Sequence, residues 1–218
     1  FHPDVVLLDI GMPGMDGFTV AGRISEDPGI RKPPILILSS AGHWVSEEFC
    51  RGIGVAACIV KPVKPRILLD NILRALAARG DASARDRLAR SATGSGPVCD
   101  SEELSVRSSA LSALMRSDPD AAQTLLTRVL ERRDECSISL RKNAVMMVGT
   151  KGDAAAKARL ADVVKNDPSN EVRSSAIGYL ARVSGDEIVA TLDAVIRNDT
   201  EDDGVQRAAV RALGEHES

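Results

Sequence analysis

Aromatic residues are scarce in this chain: one Trp, one Tyr and three Phe among 218 residues, or 2%, while hydrophobic residues as a whole make up 44%. A core must therefore be filled by small and aliphatic side chains, which favours close-packed helices over a β-sandwich. No apolar run reaches the roughly 18 residues of a membrane-crossing helix, and no signal-peptide pattern is present. A large excess of one charge is also missing. The net charge is −3 and the three His are scattered, so no surface for nucleic acid or another polyanion is expected. Cys50, Cys58, Cys99 and Cys136 lack the paired spacing of a metal site, and a reducing cytoplasm is the default location. The first residue is Phe1 rather than Met, the mark of a fragment whose upstream signals would be invisible. At this length one or two domains are expected.

Two textures divide what is there. From Asp4 to about Arg79, short runs rich in Val, Ile and Leu (Val5 to Leu8, Ile35 to Leu38, Ala56 to Val60) alternate with amphipathic stretches. The runs read as strands buried on both faces, and Phe18 to Ser25, Val45 to Ile53 and Ile67 to Ala78 as helices. Strand alternating with helix argues a parallel sheet with right-handed crossovers. Residues 81–100, rich in Ala, Ser, Gly and Arg, read as a linker with its flexible core at Ser91 to Pro97; Ala84 to Arg90 would extend the preceding helix.

After Asp100 strands vanish and a repeat appears. "VRSSALSAL" begins at Val106, "LRKNAVMMV" at Leu140, "VRSSAIGYL" at Val172 and "VQRAAVRAL" at Val205, at offsets of 34, 32 and 33 residues. Aliphatic residues at the first, sixth and ninth places and Ala at the fifth fall on one helical face. Ala110, Ala144, Ala176 and Ala209 would let neighbouring helices approach closely. Ala121 to Leu130, Ala154 to Val164 and Glu187 to Ile196 supply the second helix of each unit. Residues 101–218 thus predict a stack of helical hairpins, an α-solenoid similar to the HEAT-like repeats of the phycobilin-lyase type. Such stacks generally bind proteins. No catalytic constellation is visible in them, His216 stands alone, and the acidic residues crowd the turns. With 16 basic and 20 acidic residues there, a basic or mixed protein partner is favoured over DNA. Only one helix of a fourth repeat is present, so partial exposure of Val205, Ala209, Val210 and Leu213 is expected.

Chemistry concentrates at the strand ends. In an open parallel sheet, ligands bind outside the carboxyl ends of the strands. Asp9 ends the first strand, Ser39 the second, and Lys61 follows the third. A carboxylate as nucleophile, a hydroxyl to bond a phosphoryl oxygen and an ammonium to neutralise charge are what a transferable phosphoryl group needs. "LLDIGMPGMDG", "ILILSSAG" and "CIVKPV" resemble the phosphoacceptor turn, switch strand and Lys-Pro motif of the receiver domains of response regulators and hybrid histidine kinases. The resemblance implies a flavodoxin-like fold, Asp9 as phosphoacceptor, and a cis peptide between Lys61 and Pro62. It also implies Mg²⁺ held by Asp9 and the backbone carbonyl of Gly11, and a histidine kinase or phosphotransfer protein as donor. Asp16 reads as a turn residue, Met12 and Met15 as packing.

Two departures stand out. Cys58 occupies the place where the family commonly carries a switching aromatic. The acidic pair that supplies metal carboxylates, with the strands that carry it, is not in the chain. Residues 1–80 are accordingly expected to be the C-terminal part of a receiver, an incomplete three-stranded sheet with Val5 to Leu8 as an exposed apolar edge, poor in Mg²⁺ binding and slow to be phosphorylated. The function expected is phosphorelay signalling by a non-enzymatic phosphoacceptor coupled to an interaction module whose partner the sequence does not name. The alternatives are a phosphorylation-independent scaffold with a vestigial receiver, or two unrelated reading frames joined at the linker.

Overall fold

In a computed structural model of the chain, residues 3–40, 47–94, 99–182 and 186–216 are described. Two units emerge, residues 1–90 with 116–118, and residues 91–115 with 119–218.

The three apolar runs of the first unit become strands β1 (Val6–Asp9), β2 (Ile35–Ser39) and β3 (Val55–Val60). They form a parallel sheet in the order β1-β2-β3, with Asp9 opposite Leu38 and Ser39 opposite Val60. Ile35, Leu36 and Ile37 are almost fully buried, as a central strand covered on both faces requires. On β1, an outer strand, Leu8 is buried while Leu7 is 43% exposed, in line with the expected open edge. Helix α1 (Gly17–Glu26) starts at Asp16, whose carboxylate accepts hydrogen bonds from the Thr19 backbone N–H and hydroxyl. Asp16 is therefore a helix N-cap rather than a simple turn residue. At the other end of α1, the Lys32 ammonium donates to the carbonyls of Ile24, Ser25 and Asp27, satisfying acceptors that a helix end leaves open. Ala21 of α1 packs with Leu8, Ile35, Ile37, Cys50 and Val55, and Phe18 meets Phe49 edge to face at 5.4 Å.

Helix α2 (Glu47–Gly52) occupies the described part of the Val45–Ile53 stretch; Val45 itself lies outside the described residues. Helix α3 (Pro65–Ala77) does not run on into the following segment. Gly80 takes φ +90°, and the N–H groups of Gly80 and Asp81 bond back to the carbonyls of Ala77 and Leu76, closing the helix end. Asp81 then caps a separate helix, α4 (Ala82–Ala92), through its carboxylate and the Ala84 N–H. Ala84 to Arg90 is thus helical but part of a separate helix rather than an extension of α3, and the expected flexible core, Ser91 to Pro97, begins inside α4 and falls partly on residues outside the described set.

The second unit is helical throughout its described residues: α5 (Ser101–Ser117), α6 (Pro119–Leu130), a 3-10 turn (Glu135–Ser137), α7 (Ile138–Gly149), α8 (Ala154–Asn166), α9 (Asn170–Leu180), α10 (Asp186–Ile196) and α11 (Asp203–His216). The four repeated motifs lie on α5, α7, α9 and α11, and the second helices of the hairpins are α6, α8 and α10. Ala110, Ala144, Ala176 and Ala209 are completely buried. Exposure at the last motif is narrower than expected. Val205 is fully buried and Leu213 half-buried, while Val210 is 56% exposed.

The second place of each motif carries a tie that apolar periodicity does not reveal. Arg141, 1% exposed, pairs with Asp167 and donates to the Asp134 carbonyl and the Ser137 hydroxyl. Arg173 pairs with Glu201 and donates to the Val164 carbonyl, and Gln206 donates to the carbonyls of Asn198 and Ile196. Arg107 binds Glu103 and the Gly94 carbonyl. Each thus fixes a turn to a helix of the stack. The four cysteines, which spacing alone left without partners, are all in disulfides: Cys50 with Cys58 and Cys99 with Cys136.

Candidate functional site

Because the strands run parallel, Asp9, Ser39 and the residue after β3 fall at one end of the sheet. The hydrogen-bond ladder fixes their spacing there. The Ile10 N–H donates to the Leu38 carbonyl at 3.0 Å, and the Lys61 N–H to the Ser39 carbonyl at 2.7 Å. The Lys61 side chain then reaches back across the sheet, and its ammonium pairs with Asp9 Oδ2. The other carboxylate oxygen, Oδ1, accepts the Gly11 backbone N–H at 3.0 Å. The Lys61 hydrogen bond, with that of Gly11 behind it, holds the Asp9 carboxyl below its ordinary pKa of 3.8. Asp9 is a carboxylate at neutral pH, as a nucleophile must be.

Accessibility grades the three residues. The side chains of Lys61 and Asp9 are 38% and 40% exposed, open to a reactant, whereas Ser39 is 2% exposed. The structure therefore joins Asp9 to Lys61 directly and places Ser39 beside Lys61 through the main chain. The peptide between Lys61 and Pro62 is cis. Cys58, three residues before Lys61 on β3, is bonded to Cys50 on α2, so the place of the missing aromatic is taken by a covalent link.

Gly17, where the turn that follows β1 enters α1, shapes the site. A Cβ built there would lie 2.6 Å from the Asp9 carbonyl oxygen, so α1 can begin against the end of β1 only with no side chain at this position. Its place in the "MDGF" turn was the available signal.

The family model for the response regulator receiver domain matches residues 1–73, and the one for HEAT repeats matches residues 129–214. The chain joins a receiver segment to HEAT repeats. Among similar curated proteins is the response regulator PleD of Caulobacter vibrioides, 47% identical over 38 residues, which are 17% of this chain and 8% of that protein. The cyclic di-GMP phosphodiesterase response regulator RpfG of Xanthomonas campestris is 38% identical over 65 residues, 30% of this chain and 17% of RpfG. Protein PilH of Pseudomonas aeruginosa is 32% identical over 75 residues, 34% of this chain and 62% of PilH. The chain thus spans less than two thirds of the length of each. No helix among the described residues is long and apolar enough to cross a membrane.

Proposed function

We propose that the receiver segment accepts a phosphoryl group on Asp9 and that the HEAT repeats carry the resulting signal to a protein partner, in the cytoplasm. The observation behind this reading is the Asp9–Lys61 pair at the strand ends, beside the buried Ser39. The donor is a phosphohistidine on a histidine kinase or phosphotransfer protein. An Asp9 oxygen attacks phosphorus, the P–N bond breaks, and the imidazole leaves with the electron pair and takes up a proton. Lys61 is freed from the carboxylate as the acyl phosphate forms and turns its charge to the phosphoryl oxygens, while the Ser39 hydroxyl hydrogen-bonds one of them.

Receiver domains generally hold Mg²⁺, so the donor set bears on rate. Asp9 is the carboxylate that the strand end brings to the site, both of its oxygens are engaged, and the described residues contain no group of three or more His, Cys, Asp or Glu suited to a metal. Mg²⁺ demands near-octahedral oxygen ligation. Asp9 with the Gly11 carbonyl does not fit a resident ion. We propose accordingly that this chain binds Mg²⁺ weakly and is phosphorylated slowly.

Transfer from a phosphohistidine-bearing phosphotransfer protein, read as intact mass, tests the proposal. A single phosphoryl adduct mapping to Asp9 and lost in Asp9→Asn supports it; undiminished labelling of Asp9→Asn rejects Asp9 as acceptor. The poor metal fit favours a second reading, a phosphorylation-independent scaffold. That reading stands if no adduct forms and partner binding is the same for the native chain and Asp9→Asn.

A further inference from the structure

The Cys99–Cys136 bond lies at the head of the helical unit. Its Cα atoms are 4.6 Å apart, inside the usual range for a bridge. Cys99 is exposed and directly precedes Asp100, whose carboxylate caps α5 by accepting the Glu103 N–H at 2.7 Å. Cys136 is half-buried in the 3-10 turn, between two residues that hold Arg141. On one side the Asp134 carbonyl takes the Ser137 N–H, the Ser137 hydroxyl and the Arg141 guanidinium; on the other the Ser137 hydroxyl also accepts from Arg141. A second tie converges nearby in sequence. The Gly94 carbonyl accepts from both Arg107 and Arg132. The bridge therefore couples the first turn of α5 to the turn that seats a fully buried arginine.

We infer that Cys99–Cys136 is a reversible thiol–disulfide couple that fastens the start of α5 to the α6–α7 turn when oxidised and releases it when reduced. Three features support reversibility. Cys99 is exposed, so a thiolate has access to its sulfur. Cys136 stands two residues before the N-terminus of α7, where a leaving thiolate is favoured by the helix dipole. α5 and α7 are also anchored by buried apolar residues such as Val106, Leu111, Leu140 and Val148, so opening the bridge need not unfold the unit.

Glutathione is the exchanging class. On reduction, a glutathione thiolate attacks the Cys99 sulfur, the S–S bond breaks, and Cys136 leaves as a thiolate that takes a proton. A second glutathione thiolate attacks the glutathione sulfur of the mixed disulfide, so that Cys99 leaves as its thiol and one glutathione disulfide is produced for two glutathiones consumed. Oxidation runs the same exchanges in reverse, two electrons and two protons passing to glutathione disulfide. The inference concerns the repeats alone and does not depend on Asp9.

The test equilibrates the full chain in buffers of graded reduced-to-oxidised glutathione ratio, quenches with acid, alkylates free thiols and maps Cys99 and Cys136 by peptide mass. Hydrogen exchange is followed at the Glu103 and Ser137 amides. The expected result is a bridge that forms in glutathione disulfide, opens in excess glutathione, and on opening speeds exchange at both amides by about tenfold or more. Cys99→Ser and Cys136→Ala, held in glutathione disulfide, should exchange like the reduced native chain. Cys58→Ser, which removes the other bridge, should leave the couple unchanged. The inference is overturned if both cysteines stay thiols in glutathione disulfide alone, if the bridge persists in excess glutathione, or if it opens with no change in exchange. Loss of the response in Cys58→Ser overturns it too.

Discussion

Two ion pairs in this molecule have the same chemistry and opposite settings. Lys61 and Asp9 meet with about two fifths of each side chain in solvent, whereas Arg141 and Asp167 are each 1% exposed. The first pair sits at the end of a sheet where an incoming group can displace one partner from the other. The second is enclosed, and its arginine is further committed to a carbonyl and a hydroxyl. Solvent decides the difference: an exposed pair is held weakly and can be exchanged, while an enclosed pair cannot lose one member without stranding a charge. The open pair is suited to chemistry and the closed pair to architecture.

The largest effect that sharpens this contrast is expected in the repeats. Asp167→Ala leaves the Arg141 guanidinium buried without its carboxylate and should cost about 3–5 kcal/mol, read as a fall in denaturant midpoint. Arg141→Leu combined with Asp167→Leu, which removes both charges, should cost distinctly less. Equal losses in the two variants would break the distinction between pairing and packing.

Next comes Gly17→Ala. The added methyl must push α1 away from the Asp9 carbonyl, and overpacking of this kind costs about 1–3 kcal/mol. Phosphoryl uptake should fall with it, because the shifted backbone carries Asp9, the proposed acceptor. Unaltered stability and uptake would show that the strand end tolerates movement.

At the open pair the expected change is in titration rather than in stability. Asp9 should titrate below 3.8 in the native chain and move up toward 3.8 in Lys61→Met, as followed by carboxyl NMR shifts. The sign follows from linkage. A depressed folded value means that the pair's small stabilisation is present above the unfolded value and lost as pH falls through the folded one.

The smallest effect is at Asp70 on α3, where burial outweighs the attraction of Arg74 and Arg66 and raises the carboxyl above 3.8. Here the proton is bound more tightly by the folded chain. The penalty is absent below 3.8, grows as pH rises through the folded value and is complete above it. Asp70→Asn should therefore flatten the loss of stability on that rise, measured as melting temperature against pH.

The sequence made the strand-end site legible because three short motifs each placed one polar residue where an apolar run stops, even though Asp9 and Lys61 are 52 positions apart. The helical stack was equally readable, since Ala110, Ala144, Ala176 and Ala209 recur in register and are all buried. Arg107, Arg141 and Arg173 recur in register as well, at the second place of the motif, but apolar periodicity carries no information about polar residues there. Two of their carboxylate partners lie in turns far along the chain, Asp167 26 positions from Arg141 and Glu201 28 from Arg173, and only Glu103 with Arg107 follows a local i, i+4 pattern. The cysteines escaped for a related reason. Spacing excluded a metal site but carried no information about which sulfurs the folded chain brings together. The break between α3 and α4 is hard to read from sequence because Gly80 is a single residue, and its left-handed backbone is a property of the helix end rather than of composition.

One consequence follows from the contact between Gly149 and Tyr179. A Cβ at Gly149 would lie 2.6 to 2.7 Å from Tyr179 side-chain atoms, so the phenol ring rests on the bare backbone of α7. Tyr179 is the chain's single tyrosine. Loosening of the seam between α7 and α9 therefore changes the surroundings of the one phenol ring in the chain, and tyrosine absorbance reports it without an attached dye.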